Sequence, residues 1–105
     1  MNNKVLSMIS LATKARKTVS GEFSVEKAVK EKKAKLVIVA KDSSMRTMKT
    51  YRDMCEYYKV PLYFYGTKQE LGHYTGNEFR ASVAILDEGF RDTLMKQLDN
   101  INSEL

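Results

Sequence analysis

Leu36-Val37-Ile38-Val39-Ala40 is an unbroken apolar run, mostly β-branched, with turn-forming residues soon after it. A run of this length has no polar side to leave in water, so it reads as a strand covered on both faces and central in its sheet. Sheets of that kind need a layer of helices on each side. The flanking sequence supplies them. Upstream, Val5, Met8, Ile9, Ala12 and Ala15 recur at three- and four-residue intervals, which predicts an amphipathic helix with Lys14, Arg16 and Lys17 near its C-terminus, where cations complement the helix dipole. A short Thr18-Val19-Ser20 segment and Gly21 precede a second helical pattern with Val25, Ala28 and Val29 inward.

Downstream, Asp42, Ser43 and Ser44 are helix-capping types, and Met48, Tyr51, Cys55 and Tyr58 keep helical spacing up to a stop before Pro61. Pro61-Leu62-Tyr63-Phe64-Tyr65 reads as a short strand that opens on its proline. Thr67 and Glu70 have capping-box spacing and start a short helix with Leu71 inside, limited by Gly72 and Gly76. Ala81 to Leu86 forms the last strand, and Phe90, Leu94, Leu98 and Ile101 mark a closing helix. The fold class expected is α/β, a three-layer α/β/α sandwich, with residues 1–105 as one domain.

The length of 105 residues allows one core and is short for two, and 43% hydrophobic with 30% charged residues fits a folded chain. One cysteine, Cys55, forms no internal disulfide, and no apolar stretch approaches the roughly 20 residues of a membrane span, so a cytoplasmic address without a membrane partner is expected. The net charge of +5 is unevenly spread. Lys4, Lys14, Arg16, Lys17, Lys27, Lys30, Lys32, Lys33 and Lys35 crowd the first third, whereas Asp87, Glu88, Asp92, Asp99 and Glu104 make the end acidic. Clustered cations gain affinity for polyanions by releasing counterions, although solubility accounts for such charge equally well.

Catalytic constellations are missing from the sequence. Cys55 and His73 are single and lack the partners of a zinc site or a thiol nucleophile; Cys55 falls on an inward helical stripe, and His73 reads as a surface residue. There is no phosphate-binding glycine loop and no nucleophile elbow. Asp87 and Glu88 match a helix start, where acidic side chains suit the dipole. No enzyme activity, metal or cofactor is expected.

Ser20-Gly21-Glu22-Phe23-Ser24-Val25-Glu26-Lys27 is more informative. A helix N-terminus offers unpaired amides, and a glycine there admits a nucleic-acid backbone, with Lys27 and Lys30 one and two turns further on. A turn glycine and a solvated lysine face would give the same pattern. Three segments in order decide more: Ser20-Gly21 with Glu26-Lys27-Ala28-Val29; Ala34 to Asp42; and Glu70-Leu71-Gly72 with Gly76-Asn77-Glu78-Phe79-Arg80-Ala81-Ser82-Val83-Ala84-Ile85. Together they resemble the ribosomal protein L-seven-Ae and L-thirty-e superfamily, specifically its small bacterial YlxQ-like branch, over nearly the whole chain.

The resemblance implies an α/β/α sandwich on a small mixed sheet of about four strands that binds structured RNA, often kink-turns, in ribosomal RNA or a riboswitch. By position it assigns Gly21 and Lys27 to the groove beside the G·A pairs, Asp42 to a bulged base, and Asn77, Glu78 and Phe79 to the bulged nucleotides. Arg80 would neutralise phosphate, and the RNA-binding set as a whole comprises Ser20, Gly21, Glu22, Phe23, Ser24, Lys27, Lys30, Lys41, Asp42, Gly76, Asn77, Glu78, Phe79 and Arg80. Kink-turn specialists of the family commonly carry Asn and Glu where this chain has Phe23 and Ser24, which reduces direct reading of the G·A edges. Some members act as ribosomal components or protein adaptors. An exposed Phe23 beside Phe79 would suit a ribosomal or transcription-factor protein, whereas an inward Phe23 would serve the core.

Overall fold

A computed structural model describes residues 3–103 as α1 (Lys4–Lys14), β1 (Thr18–Ser20), α2 (Glu22–Lys30), β2 (Leu36–Val39), α3 (Met45–Tyr58), β3 (Leu62–Phe64), α4 (Lys68–Tyr74), β4 (Ser82–Ile85) and α5 (Glu88–Ser103). Glu104, counted above with the acidic end, lies outside the described residues. The sheet runs β1-β4-β2-β3, with β2 and β3 parallel and β4 antiparallel to both its neighbours, so it is mixed.

Alternation along β2 explains why its sequence has no polar position. Leu36 and Ile38 join Val5, Leu6, Ile9, Leu71, Leu94 and Leu98 in one core, under α1, α4 and α5. Val37 and Val39 join Val25, Ala28, Val29, Tyr51 and Cys55 in the other, under α2 and α3. Side chains two apart on a strand share a face, so one run of four feeds both layers. The α/β/α sandwich follows. Each fully buried aliphatic side chain of this kind contributes roughly 1.5–3 kcal/mol.

Several boundaries differ from the sequence reading, each for a visible reason. Thr18–Ser20 is an edge strand, held by the register Val19↔Ala84; three residues are too few to show a period. Ala15 is exposed at the end of α1, and Leu6 takes the inward place instead. Gly72 lies inside α4 and is buried, so it does not limit the helix. Strand pairing stops short of Ala40, Pro61, Tyr65, Ala81 and Leu86. The Thr67–Glu70 capping box forms with both reciprocal bonds.

One polar pair crosses the second core. Ser82 is fully buried in β4, and its hydroxyl meets the Tyr51 hydroxyl of α3 at 2.7 Å. Each satisfies the other, which removes the cost of an unpaired buried oxygen. Among the described residues no helix is long and apolar enough to cross a membrane.

Candidate nucleic-acid interface

The end of β1, the start of β4 and the C-terminal ends of β2 and β3 meet at one pole of the sandwich. Gly21 turns the chain there from β1 into α2 with φ 93° and ψ 154°. That conformation is essentially closed to residues with a Cβ. Gly21 donates its N–H to the Ser82 carbonyl at 3.0 Å, which pins the turn to the sheet. Among the described residues no side chain caps α2. The amides of its first turn are therefore open to an external acceptor, and the dipole favours a negative one.

Arg80 lies across this turn. A Cβ on Gly21 would sit 3.7 Å from both Cδ and Nε of Arg80. The guanidinium donates from Nε to Ser20 Oγ (3.2 Å), from Nη2 to Asn77 Oδ1 (3.0 Å) and from Nη1 to the Phe79 carbonyl (2.9 Å). Asn77 in turn donates to Ser20 Oγ at 3.3 Å and to the Thr75 carbonyl at 3.1 Å. Segments about sixty residues apart in sequence are thus clamped into one surface. Arg80 retains the rest of its roughly five N–H donors for an outside group. It both builds the surface and carries charge on it.

A second tie runs through Lys68, which the sequence reading did not single out. Its N–H donates to Asp42 Oδ1 at 2.9 Å, and its carbonyl accepts from the Arg80 N–H at 3.0 Å. The loop after β2 and the loop before β4 are both fastened to the first residue of α4. Lys41 is held alongside by its N–H bond to the Gly66 carbonyl at 2.8 Å. The signal for Lys68 was present in the capping box, which fixes it as the first helical residue. What that residue would touch depends on tertiary contacts.

The Gly76–Arg80 loop itself rests on α4. Asn77 N–H donates to the Gly72 carbonyl at 2.8 Å, and a Cβ on Gly72 would lie 2.3 Å from the Glu78 carbonyl oxygen. Only glycine admits this approach. Glu78 is exposed, and so are Phe79 (61%) and Phe23 (79%), while Ser24 is half-buried. Phe23 therefore does not serve the core. A groove of about 510 Å³ beside the loop is lined by His73, Tyr74, Glu78 and Phe79, and a cleft of about 320 Å³ between α2 and α3 by Glu22, Glu26, Arg46 and Tyr51.

Along α2, Lys27 is exposed one turn beyond the face, and Lys30, further on, is paired with Glu26 at 3.2 Å. The face itself is close to neutral. Lys41, Arg46, Lys68 and Arg80 share this end of the molecule with Glu22, Asp42, Glu70 and Glu78. Of these, Glu70 is engaged in the α4 cap and Asp42 on the Lys68 amide. Most of the basic run seen in the sequence lies elsewhere.

Burial pushes the Cys55 thiol up to about 11 and raises Tyr51, with the nearby Glu22 and Glu26 adding to the rise and the Ser82 bond opposing it. A thiol held that high is not a nucleophile at neutral pH. Among the described residues no group of His, Cys, Asp and Glu is placed to hold a metal ion.

Comparison with known proteins gives the family. Residues 3–95 match the family described as "Ribosomal protein L7Ae/L30e/S12e/Gadd45 family". The chain belongs to this L7Ae family. Among its L7Ae-family relatives, "RNA-binding protein YlxQ" of Bacillus subtilis (strain 168) is 42% identical over 92 residues, covering 88% of this chain and 92% of that protein. "Large ribosomal subunit protein eL8" of Picrophilus torridus is 32% identical over 99 residues, covering 93% of this chain and 78% of that one. Among solved structures, a protein with unknown function from Bacillus halodurans C superposes with a TM-score of 0.89 at 35% identity, covering 93% of this chain and 99% of that one. The "Giardia lamblia 15.5kD RNA binding protein", 20% identical with a TM-score of 0.79, covers 100% of this chain and 93% of its own, and shares the fold. This L7Ae-family chain is of the small YlxQ-like type and non-catalytic.

Proposed function

We propose that the whole chain acts as one RNA-binding unit, cytoplasmic and associated with the ribosome, that recognises structured RNA of the kink-turn type through the face built on Gly21 and the Gly76–Arg80 loop. The observation that carries this reading is the Arg80–Asn77–Ser20 clamp, which joins an uncapped helix N-terminus to a loop presenting Phe79. The amides donate to phosphate oxygens, and an exposed ring stacks on an unpaired base. Relatives named as RNA-binding and ribosomal proteins support it. With Phe23 and Ser24 in the first turn, the face has few groups for base edges, so recognition rests on the bent shape of the backbone.

Fluorescence anisotropy with a kink-turn RNA and a straight duplex of equal length tests this. The kink-turn should bind more tightly at every salt concentration, and Arg80→Gln should weaken it by about tenfold, the scale of one charge-assisted contact and its supporting bonds. Equal binding of the two RNAs by the native chain would defeat the shape argument.

The exposure of Phe23 and Phe79 favours a second reading, an adaptor for a ribosomal or transcription-factor protein. Nuclease treatment before affinity capture separates the two. Partners that survive nuclease support the adaptor, and partners that vanish support RNA.

A further inference from the structure

Six of the nine cations that make the first third of the chain basic lie at the pole opposite the Gly21 face. Lys14 closes α1, Arg16 follows it, Lys17 precedes β1, Lys32 and Lys33 follow α2, and Lys35 precedes β2. The sheet fixes their neighbourhood. Leu86 donates its N–H to the Lys17 carbonyl at 2.8 Å, and Lys35 donates its own to the Ile85 carbonyl at 2.7 Å. Lys17 and Lys35 therefore flank the end of β4, leading into the strands on either side of it, roughly 10 Å apart at two strand spacings. Arg16 and Lys32 stand over the same sheet end from the α1 and α2 layers.

All six are exposed except Lys35, which is half-buried, and among the described residues Lys33 alone of the six has an ion-pair partner, Glu31 at 3.4 Å. The other nearby acids are Asp87, whose Oδ2 accepts from the Phe90 N–H, and Glu88 at the start of α5. The patch is more basic than the proposed RNA face. Dipole complementation does not account for it, because only Lys14 falls in the last turn of its helix. Arg16 and Lys32 also adopt left-handed conformations, both with φ 61°, which glycine takes without strain. Cations stand where stability alone would favour glycine.

We propose that this pole is a second phosphate-binding surface, contacting the backbone of a separate RNA segment while the Gly21 face holds the first. The inference rests on the RNA reading above and extends it. Helix α2 links the two surfaces over a rise of roughly 14 Å, with the exposed Lys27 between them. The occupant is nucleic acid because the exposed cations complement a phosphate backbone, and Tyr57, exposed near the end of α3 where the chain enters β3 at this same pole, offers a ring to stack on a base. Leu11 is also exposed, a turn back on α1.

The test compares the native chain with a pole variant, Lys14→Gln, Lys17→Gln, Lys32→Asn and Lys33→Gln, and with a face variant, Arg80→Gln. Asn is used at Lys32 because it tolerates the left-handed conformation. Circular dichroism and thermal melting confirm that each variant folds. Against a duplex carrying a kink-turn, the pole variant should lower the slope of log affinity on log salt by about 2 to 3 and keep the preference for kinked over straight RNA. Energy transfer between two differently labelled duplexes should appear with the native chain and vanish with the pole variant. An unchanged slope in a folded pole variant overturns the second surface while leaving the first intact. Loss of binding only in the face variant does the same. Native binding to poly-glutamate as tight as to RNA overturns it in favour of an acidic protein. Failure of the native chain to bind any RNA overturns both readings together.

Discussion

Replacing Gly72 with Ala is the sharpest probe of how the loop is carried. Alanine is the better helix former by about 1 kcal/mol, so local propensity predicts a more stable α4. Tertiary packing predicts the opposite. The added Cβ would lie 2.3 Å from the Glu78 carbonyl oxygen, 2.5 Å from its carbon and 2.7 Å from the Phe79 nitrogen. All three are backbone atoms, which have no rotamer to move into. The loop must retreat by about 1 Å to restore ordinary contact, yet its Asn77 N–H is bonded to the Gly72 carbonyl at 2.8 Å and its Arg80 N–H to the Lys68 carbonyl at 3.0 Å.

Overpacking costs about 1–3 kcal/mol and a stretched hydrogen bond about 1 more, against the helical gain of about 1. The net loss of about 1–3 kcal/mol corresponds to a melting temperature lower by about 5–15 °C for a chain of this size. Thermal unfolding followed by circular dichroism measures it. Gly76 is the control, because there nothing lies within 4 Å of the added atom and the difficulty is only φ +80°. Gly76→Asn should therefore recover much of what Gly76→Ala loses, whereas Gly72→Asn should be at least as damaging as Gly72→Ala. A Gly72→Ala protein that melts at or above the native temperature would refute the close-approach argument.

Tyr51→Phe leaves the buried Ser82 hydroxyl without a partner and should destabilise by about 1–3 kcal/mol in urea melts, with Tyr51→Phe/Ser82→Ala less costly than the sum of the two single changes. Lys59 ends α3 at φ 59°, so Lys59→Gly should stabilise the fold by about 1 kcal/mol, measured the same way. Because burial raises the Cys55 thiol to about 11, its contribution to stability is full below about 9, the ordinary value, and is lost as pH rises from there through about 11. A Cys55→Ala variant should lack that part of the alkaline loss, and native Cys55 should resist Ellman's reagent at pH 8 until urea is added. Phe23→Asn should raise the preference for kinked over straight RNA, read by anisotropy, because an amide side chain can address a base edge and a phenyl ring cannot.

Much of the fold was legible because it is written in local pattern. The run at 36–40 demanded cover on both faces, and the spacings of Val5, Ile9 and Ala12 and of Tyr51 and Cys55 named the helices that provide it. The capping box at Thr67 and Glu70 needs only four consecutive residues, and it formed as read. The order of the three segments around Gly21, Val37 and Glu78 carried the family. β1 was not legible as a strand, because three residues hold no period and their extended form comes from pairing with β4.

Contacts across long sequence separations belong to the tertiary structure alone. No local rule says that Arg80 will span to Ser20, that Lys68 will join Asp42 to Arg80, or that Gly72 is kept small by a passing loop. The charge pattern shows the division most clearly. Sequence determined that the first third is basic, since that is a matter of composition. The sheet decided that Lys17 and Lys35 flank one strand end, and the directions of α1 and α2 decided that this end faces away from Gly21, because a residue's neighbours are set by chain reversal and strand pairing.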